Sequence, residues 1–373
     1  MPTRLRKVVF LWENFGPMHI DRLNALAHAT ADEWQVVGVQ WTGKSTTYEW
    51  VSPDAKNFSL VTLFPDTAPG SIGFVRKLWR TLSFCLKSKS NTFFFSHYND
   101  AAIIITSMIL ALLGKRVFCM LLSKFDDYDR KIRLEVFKSL ILLPYAGFLT
   151  NRGRSEDYIH FLRGRNVPIA YGHNTLSVGE IRSLAGAPPA PGGLPHAARH
   201  FTAVSRLVPK KNLGVLVDAY AVYKKAVVSP RPLHICGSGE LETELRAKIA
   251  AHGLEDFVIL RGFQQRPEIA QELAQSLALI LPSIEEQFGN VIIEAQAMGV
   301  PTLISYNCGA LETLVRSGVN GFVVEPDNPA GLAFFMQWLQ EDTDLWERLA
   351  LGCAQFLPRA DTPAFVEGVM KLL

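Results

Sequence analysis

The chain has 373 residues, 48% of them hydrophobic and 20% charged, with a net charge of +3. That length suggests two domains, and the composition supplies apolar residues for two cores of an ordinary α/β protein. The five cysteines are scattered, odd in number and without a CxxC pair, which excludes a disulfide framework and points to free thiols in a reducing compartment.

Arg4, Arg6 and Lys7 lead into a short apolar run that ends at Glu13, too short for the core of a signal peptide. The longest apolar stretch, residues 101–113, is interrupted by Thr106 and Ser107 and falls short of the ~20 residues that span a bilayer. Charge is unevenly shared. Residues 1–190 hold 23 Lys and Arg against 15 Asp and Glu, and the remainder 15 against 20. The basic half suits anionic partners, either a membrane surface or a phosphate-bearing acceptor. No motif for nucleic-acid binding accompanies it.

Residues 7–12 read as a first buried strand, followed by a turn at 13–20 and a helix through Leu26. Gly16 sits where the first strand-to-helix loop of a doubly wound fold approaches a phosphate. The loop is not GxGxxG, which argues against a nicotinamide dehydrogenase. His19 reads as a packed or capping residue. Strands follow at 34–40 and 58–63. Residues 73–90 read as a helix mixing Arg76, Lys77, Arg80, Lys87 and Lys89 with Phe74, Leu78, Trp79, Leu82 and Phe84, a pattern that suits an anionic leaflet as well as a core-facing helix.

A strand at 92–96 ends at His97-Tyr98-Asn99-Asp100, placing His97 at a strand's carboxyl end as a candidate acceptor contact. The strand at 116–122 leads to Ser123-Lys124-Phe125-Asp126-Asp127-Tyr128-Asp129. Asp127-Tyr128-Asp129 has the form of a DxD metal motif but is too short to carry a metal assignment; Asp127 is kept as a candidate for acceptor hydroxyls. Two further α/β units occupy 147–162 and 167–172. The Pro- and Gly-rich stretch 186–193 reads as the interdomain linker.

The second half opens with a strand at 201–204 and a loop carrying Arg206 and Lys211. Two cations in a strand-to-helix loop suit a diphosphate, Arg by bidentate bonding. Leu213, Leu216, Val217 and Tyr220 mark a helix. A strand at 233–236 runs into Gly237-Ser238-Gly239-Glu240, where Gly237 suits either a close approach to a nucleotide or strand-to-helix packing. Strands at 258–260 and 277–281 follow. The second precedes the most informative stretch, Ser-Ile-Glu-Glu-Gln-Phe-Gly-Asn-Val-Ile-Ile-Glu-Ala-Gln-Ala-Met-Gly at 283–299. Glu286 and Glu294 stand eight apart around Phe288, Gly289, Asn290 and Val291, a turn whose amides open a helix and suit an anion. Cys308-Gly309-Ala310 and Asn320-Gly321 read as turns, and 338–373 as mostly helical with a break at Pro358.

Glu286-x7-Glu294, with Phe-Gly after the first Glu, Leu-Pro-Ser before it and Ala-Met-Gly-Val-Pro behind, resembles the signature of retaining glycosyltransferases of family 4. The Arg206-Leu207…Lys211 pair and the Cys308-Gly309 turn are similar to the same family. The resemblance implies the GT-B fold: two Rossmann-like doubly wound domains facing a cleft, one over 1–188, one over 196–357, and a terminal segment 358–373 crossing back to the first. It implies a UDP- or GDP-sugar donor, no metal and no further cofactor. Arg206 and Lys211 would hold the diphosphate, Glu286 the donor sugar and Glu294 the ribose. Gly16, Gly237 and the amides of Phe288, Gly289, Asn290 and Val291 would complete the donor site. The implied acceptor is a saccharide or lipid-linked saccharide in bacterial polysaccharide or envelope glycan synthesis, at the cytoplasmic face of the membrane. The alternatives are a GT-B nucleotide-sugar epimerase or hydrolase, and a non-catalytic GT-B scaffold or sugar-nucleotide sensor.

Overall fold

The computed structural model describes residues 5–43, 54–68, 70–127 and 130–373. By packing, the chain divides into two units, Met1–Leu176 with Asp361–Leu373, and Ser177–Ala360.

The first unit is built on seven parallel strands, β1 (Arg6–Trp12), β2 (Trp34–Gln40), β3 (Ser59–Thr62), β4 (Thr92–Phe95), β5 (Arg116–Met120), β6 (Gly147–Thr150) and β7 (Ile169–Tyr171). Their order is β3-β2-β1-β4-β5-β6-β7, so the winding reverses between β1 and β4. β1 is a continuous apolar run because it is buried on both faces, as central parallel strands are. Helices α1 (Pro17–Ala29), α2 (Phe74–Lys87), α3 (Ala101–Leu112), α4 (Ile132–Ile141) and α5 (Arg154–Arg163) connect the strands. The α3 start is fixed by Asp100, whose Oδ1 accepts the amides of Ala102 and Ile103 at 2.8 and 3.3 Å.

Two cores flank this sheet. Cys85 of α2, Ile103 and Leu110 of α3, and Tyr158 and Ile159 of α5 pack on one face. Ile20, Leu23 and Leu26 of α1 pack on the other with Phe365, Val369 and Leu372. These last three belong to the chain's final helix (Thr362–Leu372), which therefore completes the first unit.

In the second unit, β8 (His200–Val204), β9 (Leu233–Cys236), β10 (Val258–Gly262), β11 (Ser276–Leu281), β12 (Thr302–Ser305) and β13 (Gly321–Val324) form a parallel sheet in the order β10-β9-β8-β11-β12-β13. The winding reverses between β8 and β11. The helices are α6 (Val178–Ala185), α7 (Leu213–Ala226), α8 (Glu242–Ala251), α9 (Arg266–Ala274), α10 (Val291–Ala297), α11 (Leu311–Leu314), α12 (Pro329–Glu341) and α13 (Thr343–Cys353); the final helix is thus α14. The strands β12 and β13, and the helices α4, α6 and α9, have no counterpart in the sequence reading.

The division between units falls at Leu176, earlier than the 186–193 stretch suggests. α6 packs in the second unit, with the Arg182 Nε donating to the Ala297 carbonyl at 2.9 Å. The Pro/Gly stretch itself is anchored there: the Ala190 amide donates to Met298 at 2.8 Å, and the Gly192 carbonyl accepts from Arg199. Composition marks a chain without regular structure; it does not mark one without contacts. All five cysteines are free and buried.

Candidate functional site

In a doubly wound sheet the loops that can hold a ligand leave the carboxyl ends of strands where the winding reverses. In the second unit those strands are β8 and β11. The loop after β8 carries Arg206 and Lys211, and the loop after β11 carries residues 282–290. Two polar bridges tie the loops together. The Lys210 carbonyl accepts the amides of Ile284 and Glu285 at 2.9 and 3.3 Å. The Asn212 side-chain amide donates to the carbonyls of Pro282 and Pro326 at 3.1 and 2.6 Å. Asn212 holds a left-handed φ of 57°, which Asn tolerates better than most residues.

Held this way, Lys211 forms a salt bridge with Glu286, both side chains largely buried. Beside it Lys210 reaches Glu285 at 3.0 Å, in a more exposed position. Arg206, Asn290, Val291 and Glu294 are half-buried around the same two loops, whereas Phe288 and Gly289 are buried. Gly289 lies in the left-handed region at φ +91°.

The 286–288 segment is clamped from beneath by the turn after β12. Gly309 and Ala310 donate their amides to the carbonyls of Glu286 and Phe288, both at 3.0 Å, and the Cys308 thiol donates to the Phe288 carbonyl. A Cβ on Gly309 would stand 1.8 Å from the Gln287 carbonyl oxygen, so only glycine fits. The Ser305 hydroxyl donates to the Ser283 carbonyl at 2.5 Å, fixing the start of the loop. This clamp depends on β12, which the sequence reading missed. Its visible sign is the Gly after Cys308.

Gly237 is placed next to Arg206, with a Cβ position 1.8 Å from the Ser205 carbonyl, and its amide donates to Gly262 at 2.8 Å. Packing alone requires its small size, and its amide is already used. The donor contact expected of it is therefore not carried by its N–H.

The first unit places Gly16 and His97 at its own reversal, after β1 and β4. The Gly16 amide donates to His19 Nδ1 at 3.0 Å, and its carbonyl accepts from the first turn of α1. Its polar groups thus cap the helix, which accounts for the capping role of His19. His97 holds a left-handed φ of 57°, accepts the Glu13 amide at Nε2 (3.3 Å), and stacks on Trp41. Burial pushes its pKa down, so it is neutral near pH 7 with its proton on Nδ1.

Asp127 is turned inward, contrary to the acceptor role expected of it. Its side chain is fully buried, with one oxygen accepting the Lys124 amide at 2.9 Å and the other 3.1 Å from the Lys124 ammonium. A carboxylate so engaged closes its own loop. Tyr128 and Asp129, the rest of the DxD string, lie outside the described residues.

One cluster of metal-type ligands occurs among the described residues: His200, His234 and Glu272. Both imidazoles address the same Glu272 oxygen, His200 at 2.8 Å, and the rings stack at 4.0 Å. Arg261 stands 3.8 Å from the other oxygen. His234 hydrogen-bonds to Glu272, whereas His200 Nε2 makes the 2.8 Å contact without a hydrogen bond.

Residues 189–351 match the family described as glycosyl transferases group 1. That match lies within the second unit, and the two parallel sheets have the GT-B fold of the solved structures below. The chain is similar to the D-inositol 3-phosphate glycosyltransferase of Streptomyces bingchenggensis, 33% identical over 175 residues, 45% of this chain and 38% of that one. It is 32% identical over 157 residues to the amylovoran biosynthesis glycosyltransferase AmsK of Erwinia amylovora, covering 40% of this chain and 38% of that one. It thus spans under half the length of these curated relatives. Solved structures match over up to 98% of the chain. HepE of Anabaena, in complex with UDP and glucose, matches with a TM-score of 0.72 at 20% identity, over 98% of both chains. Sucrose-phosphate synthase of Thermosynechococcus elongatus matches at 0.73 and 16% identity, again over 98% of both.

Proposed function

We propose that this protein is a retaining glycosyltransferase of family 4, moving a hexosyl unit from a nucleotide-diphosphate sugar to a saccharide or lipid-linked saccharide. The observation that carries the reading is the Lys211–Glu286 salt bridge at the reversal of the second sheet, in the segment that matches the group 1 family. Lys211 and Arg206 hold the diphosphate, and Glu286 meets the sugar hydroxyls. Glu294 takes the ribose. A UDP donor accords with the nucleotide bound by HepE. In the reaction the bond from C1 to the diphosphate oxygen breaks as the acceptor oxygen attacks the same face through an oxocarbenium-like transition state. The acceptor proton passes to the departing phosphate oxygen. Lys211 and Arg206 stabilise the charge that builds there. No metal or other cofactor is needed for these steps.

The work takes place on an anionic membrane surface at the cytoplasmic face. No helix among the described residues is long and apolar enough to cross a membrane. Yet the helices on one face of the first sheet turn large apolar side chains outward: Val75 and Trp79 of α2, Leu112 of α3, and Ile132, Phe137 and Leu140 of α4 are 57–87% exposed. Arg76, Lys87, Lys131 and Arg133 are exposed beside them. Apolar area bordered by cations is what a helix lying in a leaflet interface requires. Lys77 and Arg80 of the same helix bind Asp100 and the Leu63 carbonyl, Lys77 half-buried and Arg80 exposed.

Binding of UDP to the wild-type chain, with loss on Lys211→Gln, tests the donor assignment. Rapid release of free sugar from a labelled donor without acceptor would favour a hydrolase instead. UDP-sugar binding with no transfer to any glycan acceptor would favour a sensor.

A further inference from the structure

Arg22, on α1, is 2% exposed. Its Nε donates to the Thr175 carbonyl at 3.0 Å. No carboxylate lies within ion-pair distance of it, and its two terminal nitrogens have no hydrogen-bond partner, among the described residues. Those nitrogens are not among the buried atoms left without a partner, so the little solvent that reaches Arg22 reaches them. A guanidinium withdrawn from water with no carboxylate in ion-pair contact is costly, and retaining one calls for a partner.

The surroundings are made for an anion. His19 stands one turn earlier on the same helix face. Its Nδ1 accepts the Gly16 amide, so its proton sits on Nε2, which has no partner among the described residues. Thr175 is fully buried, and its hydroxyl has no hydrogen-bond partner. His173 is close enough to both His19 and Arg22 for their charges to interact, and its Nδ1 faces the Asn174 side-chain oxygen at 2.9 Å. These groups gather at the carboxyl ends of β1 and β7, the side of the sheet from which ligand loops leave. Burial draws the Arg22 pKa down to about 9, partly offset by Asp21, which leaves it charged at neutral pH.

We infer that Arg22, His19 and Thr175 form an oxyanion subsite in the first unit that takes a phosphoryl group on the acceptor. The Arg fork, the His19 N–H and the Thr175 hydroxyl supply four donors, which suits the several terminal oxygens of a phosphoryl group better than the two of a carboxylate. The inference rests on the glycosyltransferase reading only in assigning the group to the acceptor, because that reading places the donor's diphosphate at Arg206 and Lys211 in the other unit.

The test uses the full chain and two probes, inorganic phosphate and UDP, with binding followed by calorimetry. Phosphate is titrated into the Lys211→Gln background, which removes the donor-site cation. There it should still bind, and adding Arg22→Gln should weaken it about tenfold or more. Arg22→Gln alone should bind UDP as the wild type does. Equal phosphate affinity with and without Arg22 overturns the subsite. Loss of UDP affinity on Arg22→Gln equal to that on Lys211→Gln overturns its assignment to the acceptor. If Arg22→Gln does not fold, Arg22→Lys keeps the charge without the fork, and the imidazole NMR resonance of His19 is followed during phosphate addition. A shift in the wild type that is reduced in Arg22→Lys supports the subsite; no shift in the wild type overturns it. Failure of the wild type to bind UDP would count against the donor reading and leave the phosphate result intact.

Discussion

The ammonium of Lys211, from the loop after β8, is salt-bridged to the carboxylate of Glu286, from the loop after β11. The two stand 75 positions apart in sequence. Each neutralises the other in a largely desolvated place, so removing either leaves an uncompensated charge. Lys211→Met should weaken UDP binding by roughly 10- to 100-fold, the loss of one charge-assisted contact. Glu286→Gln should keep UDP affinity within a few-fold and lower transfer by about 10²-fold or more. Calorimetry and initial rates on the same preparations check both. Full transfer activity in Glu286→Gln would sink the proposed role.

Gly309 should tolerate no side chain. The Cβ of Gly309→Ala would press on the Gln287 carbonyl at 1.8 Å, and rigid backbone must move to relieve it. The segment that moves carries Glu286 and Phe288. We expect a stability loss of about 1–3 kcal/mol together with a large fall in transfer rate, read by chemical denaturation and kinetics. Wild-type values for both would show that the clamp does not position the loop.

Stability should fall in acid through histidines kept neutral by burial. His173 is drawn down to about 3, mainly by desolvation and then by the Arg22 charge, and burial also lowers His19 and His97. In the unfolded chain each titrates near pH 6.5. Below that pH the unfolded state takes up a proton that the folded state refuses, so stability drops as pH falls, by up to about 1.4 kcal/mol per pH unit per histidine. For His173 the window runs from about 6.5 down to about 3. Denaturant melts across this range should show the slope, and His173→Gln should lessen it. An unchanged slope in that variant would remove His173 from the account.

The exposed face of α2, α3 and α4 should bind anionic vesicles. Co-sedimentation with vesicles containing phosphatidylglycerol should exceed that with neutral phosphatidylcholine and weaken with salt. Phe137→Glu with Leu140→Glu should reduce it severalfold without lowering thermal stability, since both side chains are 57% exposed. Equal sedimentation by the variant and wild type would rule out this face.

The residues of the candidate site in the second unit were legible in sequence because their motif is local. Strand 276–281, the turn around Gly289 and the helix from Val291 are contiguous, and Glu286 and Glu294 are displayed within one short string. Apolar runs likewise announced β1, β4, β5, β8, β9 and β11, since a strand buried on both faces needs no alternation. β12 and β13 escaped notice because four residues each give too little pattern, and α4 because its apolar residues face outward, opposite to the expectation for a core helix.

What the sequence alone determined is which residues carry charge and how the backbone is punctuated: two acids eight apart, two cations five apart, and glycines where loops turn. Tertiary structure decided which of these meet. It paired Lys211 with Glu286, spent the Asp127 carboxylate on Lys124 and the Gly16 amide on His19, and left Arg22 buried without an ion pair among the described residues. The reason is physical. Propensity and periodicity act over a few residues, whereas desolvation and ion pairing depend on groups that only the finished sheets bring within a few ångströms.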